Sequence, residues 1–290
     1  SSGCAEISPA QPEDREECHL EKARKYRALA VDLDGTLLNS RHCIDSETAE
    51  ALARLREAGV SVIGVTGRSL EEFHPMRGCF DFSRDWAIVQ GGSMILQYLE
   101  NRIVCDFCTI GMEDRELLLR LGREYGFPPL VYADGKVYSE PQVNAYHLVY
   151  EEMMKHPVTY IPDMTELLHD YPIGKISMIG EPDTMRELEA IMRKAGVKSS
   201  WGFSSSYGID VVARAKPDAL RIVLERLNIS REKTVCVGDS DNDISFVRFG
   251  GLGVAMANAT PGLLAVADYI TLDNDSNGVA HLIDHVLLGS

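Results

Sequence analysis

Asp32 and Asp34 stand two positions apart in VDLDGTLL, where an apolar run comes to its end. In an extended chain, residues two apart point to the same side. Both carboxylates can therefore converge on one site, while Gly35 lets the backbone turn away. Thr66 lies in VTGRS, where a hydroxyl and adjoining backbone N–H groups, Gly67 among them, could hold phosphate oxygens, with Ser69 starting a helix. Lys216 precedes Pro217 at a helix start, a natural place for proline but one where a lysine opposes the helix dipole. A nearby anion would account for it. Asp239, Asp241 and Asp243, with Asn242 between them, crowd VGDSDND. So much negative charge calls for a cation or a lysine, and an oxygen-only donor set suits Mg2+. A calcium loop of the EF-hand kind lacks its downstream Gly and Glu. Taken singly, each motif also reads blandly, as a capped turn, a strand-to-helix turn or a solvated lysine.

These residues need elements to carry them. YRALAVDLD reads as a strand, DSETAEALARLREAG as an amphipathic helix stopped by Gly59, VSVIGVTG as a second strand and WAIVQGG as a third. This is the rhythm of a parallel sheet with crossover helices. It breaks after Gly92, where MILQYL-ENR-IVCDF and LVYADGKVYS read as antiparallel hairpins, the second with an Asp-Gly turn. Parallel rhythm is read as returning at GIDVVA and continuing through KTVCVGDS and LGVAM. The expected fold is α/β: a Rossmann-like, three-layer parallel-sheet core over residues 25–107 and 204–290, with an inserted α+β cap over 108–203. Open parallel sheets bind ligands beyond the carboxyl ends of their strands, where the motif residues fall.

Composition narrows the functions. With 44 acidic against 29 basic residues the net charge is −15, which repels nucleic acid. No run approaches the roughly 18 to 20 apolar residues of a membrane span. A phosphorylated ligand would need positive charge supplied locally, by metal or helix N-termini. The seven cysteines are odd in number and scattered, so a reduced compartment, and hence the cytoplasm, is expected. An organelle lumen is the alternative if an upstream targeting segment has been removed. Cys105 and Cys108 form one CxxC without a second pair to complete a zinc site, and both read as strand residues. Residues 1–24 are polar and acid-rich and are expected to be disordered, unlike a signal or transit peptide.

Four motifs in order, each at a strand end or helix start, make coincidence a poor account. DLDGTLL, VTGR, Lys216 and GDSDND, followed by GLGVAMANATPGLLAVADYIT and NGVAHLI, resemble the haloacid dehalogenase superfamily, specifically its Cof-type phosphatases with a large α/β cap. The resemblance covers about residues 26 to 290. It implies a Mg2+-dependent phosphatase of small phosphorylated metabolites, such as sugar phosphates, working as a monomer or weak homodimer. Asp32 would be the nucleophile forming an aspartyl-phosphate. Asp34 would protonate the leaving oxygen and then activate water. Leu33, Thr66, Gly67, Lys216 and Asn242 would hold the phosphoryl group. Mg2+ would sit on Asp32, the backbone carbonyl of Asp34, and Asp239, with Asp243 behind them orienting Lys216. Asp34 must be protonated for the first step, and anionic crowding is expected to favour that.

Two rivals share this core: a sugar phosphomutase, recognised by isomerisation without free phosphate, and a non-catalytic phosphate-ligand sensor, disfavoured because both Asp32 and Asp34 are present. The chain departs from the family pattern at Gln90-Gly91-Gly92, Ala215-Lys216-Pro217 and Leu264, and the first two are expected to bear on substrate fit. Tyr132, Tyr138 and Tyr146 read as packing residues first and cleft residues second. His147, His156 and His169 lack metal spacing and read as surface or packing residues.

Overall fold

The computed structural model describes residues 25–73, 84–99, 102–141, 145–154 and 156–289. The tail over 1–24, expected to be disordered, lies outside them. The chain first lays down β1 (Ala28–Asp32), β2 (Ser61–Val65), β3 (Trp86–Val89), β4 (Met94–Leu99) and β5 (Arg102–Phe107). Six strands of another sheet follow: β6 (Leu130–Ala133), β7 (Lys136–Ser139), β8 (Val158–Tyr160), β9 (Lys175–Ile179), β10 (Ser200–Ser205) and β11 (Gly208–Val212). The chain then returns with β12 (Thr234–Gly238), β13 (Leu252–Ala255) and β14 (Tyr269–Ile270).

The first sheet has the order β14-β13-β12-β1-β2-β3-β4-β5. Its strands run parallel from β14 to β3, and β4 and β5 add an antiparallel hairpin at the far edge. Strand β1 is buried along its whole length, as a central parallel strand should be. Alternation then divides its side chains between two cores. Leu29 and Val31 pack with the helix Ser46–Glu57 and the C-terminal turns. Ala28 and Ala30 pack under the helix Lys216–Leu227. Helices cover both faces, which gives the three-layer α/β core expected from the rhythm.

The second sheet, β10-β11-β9-β6-β7-β8, is antiparallel except for β7 with β8. One face buries Val131, Ile176, Met178, Ile209 and Val211 against the helices Met112–Tyr125 and Pro182–Ala195. The Asp-Gly turn between β6 and β7 has both residues at positive φ, 47° and 71°, as a two-residue hairpin turn requires.

One expectation is corrected. GIDVVA, read as the return of the parallel core, is β11, which pairs antiparallel with β9 and β10 in the second sheet. A boundary at residue 204 cuts through β10, and the chain re-enters the core only after Val212. The misreading has a simple cause: a short apolar run looks the same whether its sheet is parallel or antiparallel. Cys108 also falls just past the end of β5, where its N–H donates to the Ser93 carbonyl at 3.0 Å. No helix among the described residues is long and apolar enough to cross a membrane.

Candidate active site

The ends of β1, β2 and β12 and the start of the helix Lys216–Leu227 meet at one place. Asp32, the last residue of β1, is buried, and the Lys216 ammonium donates to its Oδ1 at 2.8 Å. The same ammonium donates to Asp243 Oδ1 at 2.6 Å. Asp243 Oδ2 accepts the backbone N–H groups of Asp239 and Ser240, each at 3.3 Å. Both oxygens of Asp243 are thus committed, one to the lysine and one to its own loop. Gly238 is required for this approach, since a Cβ there would lie 2.7 Å from the Asp243 carboxylate. Gly35, at φ 76°, plays the same part across the site, because a Cβ would run into the Asp239 carboxylate. The lysine that opposed its own helix dipole has its anions after all.

Ligand oxygens of Asp32, Asp239 and Asp243 all lie within 4.8 Å of one another. One lysine cannot balance three carboxylates. Burial and then the charge of Asp243 push the Asp32 carboxyl well above its usual range, against the pull of Lys216. Burial and Asp243 push Asp239 up to about 7, against a 3.1 Å hydrogen bond from Thr36 Oγ1. Burial alone would lower the value of Lys216, yet Asp243 and Asp32 outweigh it and the ammonium is held charged. The surplus negative charge therefore falls on Asp32 and Asp239. A hard divalent cation fits such a group in donor type and in charge. Asp241 plays no part in it, turning away to accept Thr260 Oγ1 at 2.6 Å.

Asp34 lies close enough to this group for its charge to help raise Asp239, but it has a cation of its own. Its carboxylate takes a bidentate ion pair from Arg68, Nε to Oδ2 at 2.7 Å and Nη2 to Oδ1 at 2.6 Å. His42 lies 3.6 Å from the same carboxylate at the mouth of the site. Thr66 is buried at the end of β2, and its Oγ1 accepts the Arg68 N–H at 3.1 Å. Leu33 is buried, and its carbonyl accepts from the N–H groups of Thr36 and Leu38, closing the turn after β1. Asn242 is exposed, and its Oδ1 accepts Ser240 Oγ at 2.8 Å.

A cavity of about 320 Å3 joins these residues to the second sheet. Asp32, Asp34, Thr66, Gly67, Lys216, Asp239 and Asn242 line one wall. Opposite them stand Tyr132, Lys175, Ser177 and Asp210, with Ser204, Ser205 and Tyr207 beside them. Period two along the strands explains this wall. Lys175, Ser177 and Ile179 of β9 alternate with Ile176 and Met178, which belong to the helix-covered core. Tyr132, read as packing first, reaches the cavity. Tyr138 packs against the helix-covered core, and Tyr146 donates to Glu181 at 3.0 Å. His147 is buried with Nε2 3.2 Å from the Pro128 carbonyl, and His169 pairs with Glu116 at 3.2 Å.

Arg68, Thr36, Tyr150, Lys175 and Asp210 were not singled out from sequence. A signal existed for Lys175 in KISMI, because a charge inside a wholly buried strand is uncommon without a partner. Gln90 takes φ 51° and is buried, but its side chain abuts Gly174 and does not line the cavity. Pro217 sits in the first turn of its helix.

Comparison with known proteins identifies the family. Residues 29–283 match the family model described as haloacid dehalogenase-like hydrolase. The phosphatase YwpJ of Bacillus subtilis is 30% identical, covering 90% of this chain and 100% of that protein. The pyridoxal phosphate phosphatase YbhA of Escherichia coli is 26% identical, covering 89% of this chain and 97% of its own length. A haloacid dehalogenase-like hydrolase from Bacteroides thetaiotaomicron has a crystal structure that superimposes with a TM-score of 0.76 at 27% identity, over 90% of this chain and 100% of that one. Matched by that family model over most of its length, this chain belongs to the haloacid dehalogenase-like hydrolases.

Proposed function

We propose that this chain is a Mg2+-dependent phosphatase of small phosphorylated metabolites, working through an aspartyl-phosphate on Asp32. One observation carries the reading: Lys216 bridges Asp32 and Asp243 at the floor of a cavity that Thr66, Gly67 and Asn242 also line. The names of the relatives support phosphatase chemistry, and the all-oxygen donor set supports a hard cation. The proposed division is a core over 25–107 and 214–290 with a cap over 108–213. The same proposal places the enzyme in the cytoplasm, as a monomer or weak homodimer.

Asp32, the Asp34 backbone carbonyl and Asp239 would hold Mg2+, which when bound neutralises charge on the phosphoryl oxygens and relieves the carboxylate repulsion. Asp32 attacks phosphorus as a carboxylate, and the bond from phosphorus to the leaving oxygen breaks. That oxygen takes a proton from Asp34. In the second half Asp34 accepts a proton from water, water oxygen bonds to phosphorus, and the bond to Asp32 breaks to release phosphate. Splitting hydrolysis in this way replaces one hard step by two easier ones. Lys216 offsets the like-charge repulsion between nucleophile and substrate, and Asp243 aims it. Arg68 pairs with Asp34. An incoming phosphoryl anion competes for that guanidinium and releases Asp34 for proton transfer.

The test is a panel of phosphomonoesters assayed for free phosphate with Mg2+, with excess chelator, and with Mg2+ restored. Release that stops with chelator and returns with metal is the expected result. Isomerised sugar phosphate without free phosphate would replace this reading by a phosphomutase. Binding without turnover of any kind would leave a sensor.

A further inference from the structure

Two side chains from the second sheet's side of the cavity reach across it and grip the loop that follows Thr66. Lys175 Nζ donates to the Gly67 carbonyl at 2.8 Å while paired with Asp210 Oδ2 at 2.9 Å. Tyr150, on the helix Ala145–Met154, donates to Glu72 Oε1 at 2.7 Å, and Glu72 Oε2 accepts the Ser69 N–H at 2.6 Å. The two grips are joined behind the loop. Tyr132 OH donates to Tyr150 OH at 3.0 Å, the Tyr132 and Ser177 hydroxyls lie 3.3 Å apart, and Ser177 donates to Asp210 Oδ1 at 2.6 Å. Lys175 also lies 4.8 Å over the Tyr132 ring. A buried lysine needing only a counter-ion would be satisfied by Asp210. The bond to Gly67 is extra, and it crosses between the two sheets.

That bond lands on a particular peptide. The Gly67 carbonyl receives the Lys175 ammonium, and the N–H of the same peptide unit, on Arg68, donates to Thr66 Oγ1. A positive charge at the oxygen end of a peptide polarises it, and hydrogen bonds in series strengthen one another. Thr66 Oγ1, accepting from that peptide, becomes a better donor of its own proton toward the cavity it lines. We propose that Lys175 is a positioning residue that couples closure of the second sheet over the cavity to phosphoryl binding at Thr66, by holding and polarising the Gly67–Arg68 peptide. The coupling rests on the phosphatase reading for its catalytic consequence, but not for the grip itself. Burial works against the charge of Lys175, yet Asp210, Tyr132 and Glu72 keep the ammonium protonated.

The experiment compares Lys175→Met in an Asp210→Asn background with the Asp210→Asn parent, so that no carboxylate is left unpaired. Lys175→Gln, which keeps a neutral donor of shorter reach, serves if the double variant does not fold. Two readouts are taken: amide hydrogen exchange over residues 67–72, and turnover of p-nitrophenyl phosphate. Loss of Lys175 should speed exchange in that segment. It should lower kcat about tenfold, the rate equivalent of one weaker charge-assisted hydrogen bond, with a smaller change in KM. Lys175→Arg, which keeps charge and donors, should restore much of both. A lower melting temperature with exchange at 67–72 and kcat both unchanged would overturn the proposal, since Lys175 would then serve the cap fold alone. If the wild-type chain turns over no phosphomonoester, the phosphatase reading fails. The exchange data then decide the grip alone, with unchanged protection refuting it.

Discussion

Asp239→Asn should abolish activity and yet stabilise the metal-free protein. The side chain keeps its shape and its capacity to accept from Thr36 Oγ1, while one of three mutually repelling carboxylates is removed. Two unit charges no more than 4.8 Å apart repel by about 3.5 kcal/mol or more at an effective dielectric of about 20. The displacement of the Asp239 carboxyl from 3.8 to about 7 corresponds to about 4 kcal/mol, with the pull of Lys216 already included. Relaxation and water entry reduce such figures, so about 2 kcal/mol is the working value, or roughly 4 °C in melting temperature for a chain of this size. The sign follows from linkage. A raised carboxyl value means the unfolded chain gives up its proton first, so native stability falls as pH climbs from about 4 to about 7. The gain from asparagine should therefore be absent near pH 4 and full above pH 7. The assay is thermal unfolding in excess chelator from pH 4 to 8.5, with and without added Mg2+. Wild type should gain stability on adding Mg2+ and the variant should gain little. A variant that melts below wild type in chelator at pH 8, or that keeps the full Mg2+-induced shift, would refute the reasoning.

Three further outcomes are expected. Asp32→Asn should reduce turnover by at least about a thousandfold, a barrier rise of roughly 4 kcal/mol, while still unfolding cooperatively; residual activity above a tenth of wild type would exclude it as nucleophile. Asp106, held below the usual carboxylate range by its bond to Arg214 with help from Arg226, adds stability above about pH 4 that is lost on further acidification. Asp106→Asn should flatten the acid limb of the melting curve by less than about 1 kcal/mol, because the group is only partly buried and solvent screens the pair; an unchanged acid limb would show that the ion pair contributes nothing. Substitutions at Ser205 and Tyr207, on the wall facing the acid group, should reorder preferences in a substrate panel while sparing p-nitrophenyl phosphate. A proportional loss on every substrate would move specificity elsewhere.

Much of the site was legible before any fold was known, because its logic is local. Alternation put Asp32 at a strand end, Gly35 announced a sharp turn, and a lysine at an unfavourable helix position asked for an anion. What local pattern lacked was partnership. VGDSDND offers three acids alike, yet only the folded loop turns Asp243 inward to Lys216 and Asp241 outward to Thr260. Spacing drew Asp32 and Asp34 to one site, and both do line the cavity, but only the structure pairs Asp34 with Arg68, 34 positions away. The rhythm of β11 was visible and its sheet was not, since period two and apolarity carry no record of the neighbouring strand.

The amino-acid sequence by itself determined the α/β class, the inserted unit and the residue types brought to the strand ends. Tertiary structure alone decided which of them meet. Lys216 reaches Asp32 across 184 positions and Thr36 reaches Asp239 across 203. Lys175 finds the Gly67 carbonyl across 108. Periodicity is written in neighbouring residues because it arises from backbone geometry. Contacts across such separations depend on strand order, register and the seating of one sheet over another, which emerge only when the whole chain buries its cores together.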